Sequence, residues 1–200
     1  MKKRSLQKRE AILDASTRVF LAKGYSESGM TEIAAQAEVS TATLYNHFAG
    51  KEELFDAVVE RLWQKLRPEE NPQIWQMPPD QTLAHFGRNV LKVLLSPTSI
   101  ALFRIVVAQA GRFPDLTQAF HRHGSEAITR TLAQYLGRQT ELGVLAVDRP
   151  EQAARQFLGM IKEMVFWPRV LGIGKLPSKE EVESAVANAV SIFLRSYRPS

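Results

Sequence analysis

Cysteine is absent from the 200 residues, which excludes a disulfide framework and any thiolate metal site and suits a reducing compartment. No run of about 18 apolar residues occurs, so nothing in the sequence is built to span a membrane. The opening MKKRSLQKRE has a positive flank but no apolar stretch behind it. It is not a secretory signal, and a cytoplasmic protein is expected. The common catalytic frames HExxH and GxSxG are missing as well. GIGK at 172–175 lacks both the full phosphate-loop frame and a preceding strand, and reads as a loop between two helices. Of the four histidines, His121 and His123 stand two apart, so on a helix they point about 200° away from each other and make a poor metal pair. No metal site, no cofactor and no enzymatic chemistry is expected.

What is present is moderately basic. Lys plus Arg number 26 against 21 Asp plus Glu, for a net charge of +5. That balance permits nucleic-acid binding without requiring it. Residues 1–9 hold Lys2, Lys3, Arg4, Lys8 and Arg9 with no acid. They are either a solvated end or a basic arm that meets phosphates.

Helical periodicity dominates, and no convincing strand appears. Residues 6–23 place Ile12, Ala15, Val19 and Ala22 on one stripe, and Gly24 is positioned to end that helix. A short helix over 30–37 follows, with Gly29 as N-cap. Glu38-Val39 reads as a turn, and Ser40 as the N-cap of a segment to Phe48. Lys51 to Arg67 is a longer amphipathic helix. Residues 68–80, PEENPQIWQMPPD, contain four prolines and form a connection. Helices are then expected near 80–95, 97–110, 114–141, 151–167 (opened by Asp148 and Glu151) and 179–197 (opened by Ser178 and Glu181), about nine in all. The helix over 151–167 is apolar on most sides, and 179–197 carries a broad apolar stripe. A helix apolar nearly all round is buried on more than one side, so a homodimer through these two helices is expected, with an ordinary monomer core as the alternative.

VSTATLYNHF at 39–48 is too polar for a core helix and lacks the Glu and Lys of a purely solvating one. Segments 30–37, 38–40 and 41–48 have helix-turn-helix spacing. With Leu44 and Phe48 turned inward, Ala42 and Asn46 point outward, Thr43 and Tyr45 lie on the flanks, and His47 sits at one edge. Such a face suits a major groove. Ala42 admits close approach, Thr41 and Thr43 offer hydroxyls and methyls to base edges, and Tyr45, His47 and Lys51 can reach phosphate oxygens.

The stretch GYSESGMTEIAAQAEVSTATLYNHFAGKEELF, within a match from about Arg9 to Phe55, resembles the DNA-binding domain of TetR-family transcriptional regulators. Its marks are Gly24-Tyr25, Ile33-Ala34, Val39-Ser40, Thr43-Leu44-Tyr45, His47-Phe48 and Lys51-Glu52 with Leu54. Residues 101–197 more loosely resemble the AefR-like regulatory domain. The resemblance implies an all-α fold: a three-helix DNA-binding domain over 1–55, its basic arm at 1–9, and a helical ligand-binding and dimerisation domain over 56–200. It implies that residues 40–47 are the recognition helix, that Thr41, Ala42 and Thr43 meet bases, and that Tyr45, His47 and Lys51 meet phosphates. Ser40 and Asn46 belong to the same surface, and Thr31 matches a position that sometimes reaches a base. The family usually has Gly where Glu38 stands. If that position needs positive φ, Glu costs about 1 kcal/mol there and adds a negative charge beside the reading face.

The resemblance also implies an effector cavity after residue 60. Trp63, Trp75, Phe86, Phe103, Gln109, His121, Met160, Met164 and Trp167 would suit an apolar or amphipathic small molecule, or else plain core packing. The expected function is a repressor that binds a palindromic operator as a dimer and is released by its effector. A constitutive DNA-binding regulator and a helical protein-interaction module are the alternatives.

Overall fold

The computed structural model describes residues 2–64 and 76–199. Its elements are α1 (Lys2–Glu27), α2 (Met30–Gln36), α3 (Thr41–His47), α4 (Lys51–Gln64), α5 (Pro79–Leu94), α6 (Pro97–Gln109), α7 (Pro114–Phe120), a π-helical turn (His121–Glu126), α8 (Ala127–Glu141), α9 (Pro150–Glu163), α10 (Trp167–Val170) and α11 (Lys179–Tyr197). The chain is all-α, and among the described residues there is no strand. No single described helix is long and apolar enough to cross a membrane.

The chain divides into two compact units: Met1–Trp63 with Ala101–Gly124, and Gln64–Ile100 with Ser125–Ser200. By packing, then, the N-terminal unit reaches past the expected limit at residue 55 and takes in a later stretch of chain.

In the first unit, α1 buries Ile12, Leu13, Ala15, Ser16, Val19 and Phe20, the i, i+3, i+4 stripe of a helix with one core-facing side. Its regular path breaks at Gly24, where φ 77 and ψ 176 lie in a region that only glycine settles without strain. The corner that follows leads directly into α2. Phe20, Tyr25 and Phe55 pack with ring centroids 5.4–5.7 Å apart, and Phe113 stands edge-on to Tyr25 at 5.0 Å. Arg61 on α4 ties back to α1 through Asp14 at 2.8 Å and Glu10 at 3.2 Å.

The expected continuous helix over 114–141 is interrupted by the π-helical turn. Gly124 lies within it, against the Trp63 ring, where an added Cβ would come within 3.0 Å of the indole.

In the second unit α8 packs on α9, and α11 on α5 and α9. Leu83, Val90, Leu91, Leu132, Leu136, Phe157, Ile161, Val186 and Phe193 form its core. The capping box on α11 forms as expected, with Ser178 and Glu181 bonding reciprocally. Two expectations change. Helix α9 begins at Pro150 with Arg149 rather than Asp148 as N-cap. It also ends at Glu163, not Trp167: Pro168 has no N–H to continue the helix ladder, and it sits instead in the first turn of a separate short α10, where no N–H is needed.

Candidate nucleic-acid interface

Two short helices and a three-residue turn form the candidate interface. The turn is a Schellman-type cap: Val39 N donates to Ala34 O at 3.0 Å and Glu38 N to Ala35 O at 3.1 Å. The residue between the α2 C-cap and Val39 must be left-handed, and Glu38 has φ 55, the one described non-glycine residue with positive φ. Helix α3 then starts on Ser40, whose Oγ accepts from Thr43 N at 3.1 Å and lies 2.8 Å from Thr43 Oγ1. That hydroxyl pair fixes Thr43's rotamer while leaving lone pairs toward solvent.

Leu44 and Phe48 are buried and pin α3 to the core. Ala42, Tyr45, Asn46, Ser40 and Thr31 are exposed, while Thr41, Thr43 and His47 are half-exposed. Tyr45 keeps 51% of its surface accessible. The outward face of α3 therefore presents mostly neutral groups with hydrogen-bond donors and acceptors. Helix α2 is braced against α1 by Lys23–Glu32 at 2.7 Å and by Arg18 Nη2 donating to Gln36 O at 3.4 Å.

Lys51 departs from its expected place. Its Nζ donates to the carbonyls of Tyr25, Ser28 and Ser26 at 2.8, 3.0 and 3.3 Å, and lies 4.5 Å from the Tyr25 ring centroid. Its three N–H groups are committed inside the unit, and burial lowers its pKa. Two features missed at the sequence level lie nearby. Arg9 stacks over Phe48, the C-cap residue of α3, at 5.3 Å. Residues 2–9 are helical, so they extend α1 rather than form a loose arm.

The described residues expected at an effector fall in both units. Trp63 and Phe103 each pack edge-on to Phe120 in the first unit, at 6.0 and 5.5 Å. Gln109 accepts a 3.0 Å hydrogen bond from Ser26 Oγ, and His121 is exposed. In the second unit Phe86 is buried on α5, and Trp167 packs against Phe166 at 5.4 Å. Met160 and Met164 line a groove of about 820 Å³ with Ile173, Ala185, Ala189 and Ile192. Trp75 lies outside the described residues. A separate groove of about 850 Å³ in the second unit is walled by Met77, Pro79, Tyr135, Leu142 and Val144, with Arg138 among its polar groups. Periodicity shows which residues turn inward, and it does not show which of them share a cavity.

With this geometry established, comparison with known proteins gives a consistent result. The pattern of the bacterial regulatory proteins of the tetR family matches residues 12–58, and that of the AefR-like transcriptional repressor C-terminal domain matches residues 81–199. A TetR-family transcriptional regulator from Mesorhizobium loti superposes with a TM-score of 0.84 at 28% identity, covering 98% of this chain and 99% of its own. The flavonoid-responsive regulator FrrA is 31% identical, with a TM-score of 0.77 and coverage of 96% and 97%. Among curated relatives, the transcriptional activator FasR of Mycolicibacterium smegmatis is 46% identical over 55 residues and the repressor BepR of Brucella suis 40% identical over 60. Those two matches span only 25% and 29% of the relatives' own lengths.

Proposed function

The chain belongs to the TetR family of bacterial regulatory proteins, transcriptional regulators rather than enzymes, and from that premise we propose that it represses transcription as a dimer on a palindromic operator. The observation that carries this reading is the outward face of α3. Ala42, Thr43 and Asn46 stand on a helix short enough to enter a groove end-on, with Leu44 and Phe48 anchoring it from behind. Thr41, Ala42 and Thr43 meet base edges. Tyr45 and His47 meet phosphates, and the acid-free first turns of α1, with Arg4, Lys8 and Arg9, supply the electrostatic attraction.

The second copy packs on the face of α9 and α11. Met164 is 77% and Ile192 55% exposed there, beside the 820 Å³ groove. An apolar surface of this kind on an otherwise well-buried unit marks an interface. A two-fold dimer places two α3 helices in successive major grooves, so the operator mirrors that symmetry.

An apolar or amphipathic effector shifts the dimer to a state whose α3 spacing no longer fits. It does so only to the extent of its differential affinity for the two states. The flavonoid responsiveness of FrrA supports an aromatic effector of this class. Selection of bound duplexes from random sequence, with the full chain at two salt concentrations, tests the proposal. An inverted repeat with half-sites near one helical turn or a multiple apart, and steep weakening with salt, is the expected result. Recovery of no enriched sequence would refute it.

A further inference from the structure

Lys51 matches a position at which the family meets phosphate, yet its side chain is turned inward. We infer that Lys51 is a positioning residue: its ammonium closes the carbonyl end of α1 and locks the start of α4 to the corner that leads into α2, and it does not meet the DNA backbone. The inference rests on the reading of α3 as the groove-entering helix, because what Lys51 positions is the support of that helix.

The donor count comes first. An ammonium has three N–H groups, and here three carbonyl oxygens, those of Tyr25, Ser28 and Ser26, accept from it at 2.8–3.3 Å. None remains for a phosphate unless a carbonyl is abandoned. Those carbonyls follow the break in the helical path at Gly24, and of the three Tyr25 O also accepts from the Ser28 amide, at a long 3.3 Å, so the ammonium completes their hydrogen bonding. The Gly24 carbonyl is taken by the Ser28 hydroxyl, and Lys51 takes the next ones. A cation at the carboxyl end of a helix is also favoured by the aligned peptide dipoles.

The seat is rigid. The ammonium lies over the Tyr25 ring, itself 1% exposed and wedged among Phe20, Phe55 and Phe113. The start of α4 is equally unsuited to an incoming anion. The Ala49 amide already donates to Glu53 Oε2 at 2.5 Å, and Glu52 adds a second carboxylate to that first turn.

Arginine separates the two roles. A guanidinium meets a phosphate at least as well as lysine does, but its planar fork cannot converge on three carbonyls arranged around one nitrogen. The test uses the full chain, Lys51→Arg and Lys51→Met, with the duplex that the wild-type chain selects from random sequence. The expected result is that Lys51→Arg, its charge intact, loses about tenfold in affinity, since it abandons charged hydrogen bonds. Its thermal midpoint without DNA falls, and both variants keep the wild-type salt slope.

A phosphate role gives the opposite pattern. Lys51→Arg then binds like wild type, and Lys51→Met has a slope shallower by about 0.9 with an unchanged midpoint. That result overturns the inference. Should Lys51→Met fail to fold, nitrogen-15 NMR of the wild-type lysine ammonium groups decides: a Lys51 signal protected from exchange and unmoved by duplex supports the seat, and one that shifts on binding refutes it. If the wild-type chain selects no duplex, the DNA reading itself fails. The free-protein signal and the Lys51→Arg midpoint still report whether the seat exists.

Discussion

Replacing Glu38 by glycine should stabilise the protein by about 1 kcal/mol and tighten its binding to DNA. Among the described residues the same cap is built three times. At the ends of α8 and α10 the left-handed position is filled by Gly143 (φ 71) and Gly172 (φ 76), with the same pair of backbone hydrogen bonds as at Glu38. Only at the end of α2 does a residue with a Cβ occupy it. The steric cost of left-handed backbone is roughly 1–2 kcal/mol. Glycine gives back about 0.4–1 kcal/mol through the freer unfolded chain, leaving a net gain of about 1 kcal/mol or somewhat less. For a chain of this size that is a rise of about 2–4 °C in thermal midpoint. Urea unfolding of wild type, Glu38→Gly, Glu38→Asn and Glu38→Gln gives the assay. Glycine should be most stable, asparagine intermediate and glutamine equal to wild type, all with one m-value. Duplex affinity should rise alike in all three variants, since each removes the same negative charge beside the reading face. If Glu38→Gly is no more stable than Glu38→Gln, the backbone at this turn is not strained and the reasoning fails.

Thr43→Ala should cost roughly 1 kcal/mol of operator affinity confined to particular base pairs, whereas Tyr45→Phe should weaken all sequences alike; binding to a library of single-base operator variants separates the two. Ile192→Glu places a charge on the proposed dimer face, and sedimentation should show a folded monomer with wild-type helicity. Tyr25 and Tyr135 should ionise above the ordinary tyrosine range in an alkaline spectroscopic titration. Burial, with Glu52 and Asp115 adding, pushes Tyr25 from 10.0 up to about 12, and burial raises Tyr135. A folded pKa raised above the unfolded value contributes stability that is intact below pH 10 and lost between pH 10 and about 12. Denaturant midpoints should fall across that window, and less steeply in Tyr25→Phe.

The local build of α3 was legible because its signals are local. Ser40 as cap, Leu44 and Phe48 as anchors and the turn at Glu38 all depend on neighbours within five positions, and the structure has each of them in place. The inward contacts of Lys51 were not legible because its partners stand 23–26 residues upstream and come near only when α4 folds against the α1 corner. Spacing within a helix carries no trace of that approach. The contact of Gln109 is hidden in the same way, since its partner Ser26 is 83 residues away. The early end of α9 is different: Pro168 was visible in the sequence, and the apolar run through Trp167 outweighed it. Local backbone chemistry decided the boundary, as it does when a missing N–H meets a side chain that is apolar by composition alone.

The N-terminal unit is assembled from two separated stretches of chain, and that limits how the protein can be cut or recombined. Phe113 completes the ring cluster around Tyr25, and Phe120 abuts Trp63, so a fragment ending after α4 would expose both aromatic sites to water. Grafting a foreign effector half onto residues 1–64 would bring someone else's 101–124 against these rings. A working chimaera must carry its own copy of that later stretch along with the first four helices.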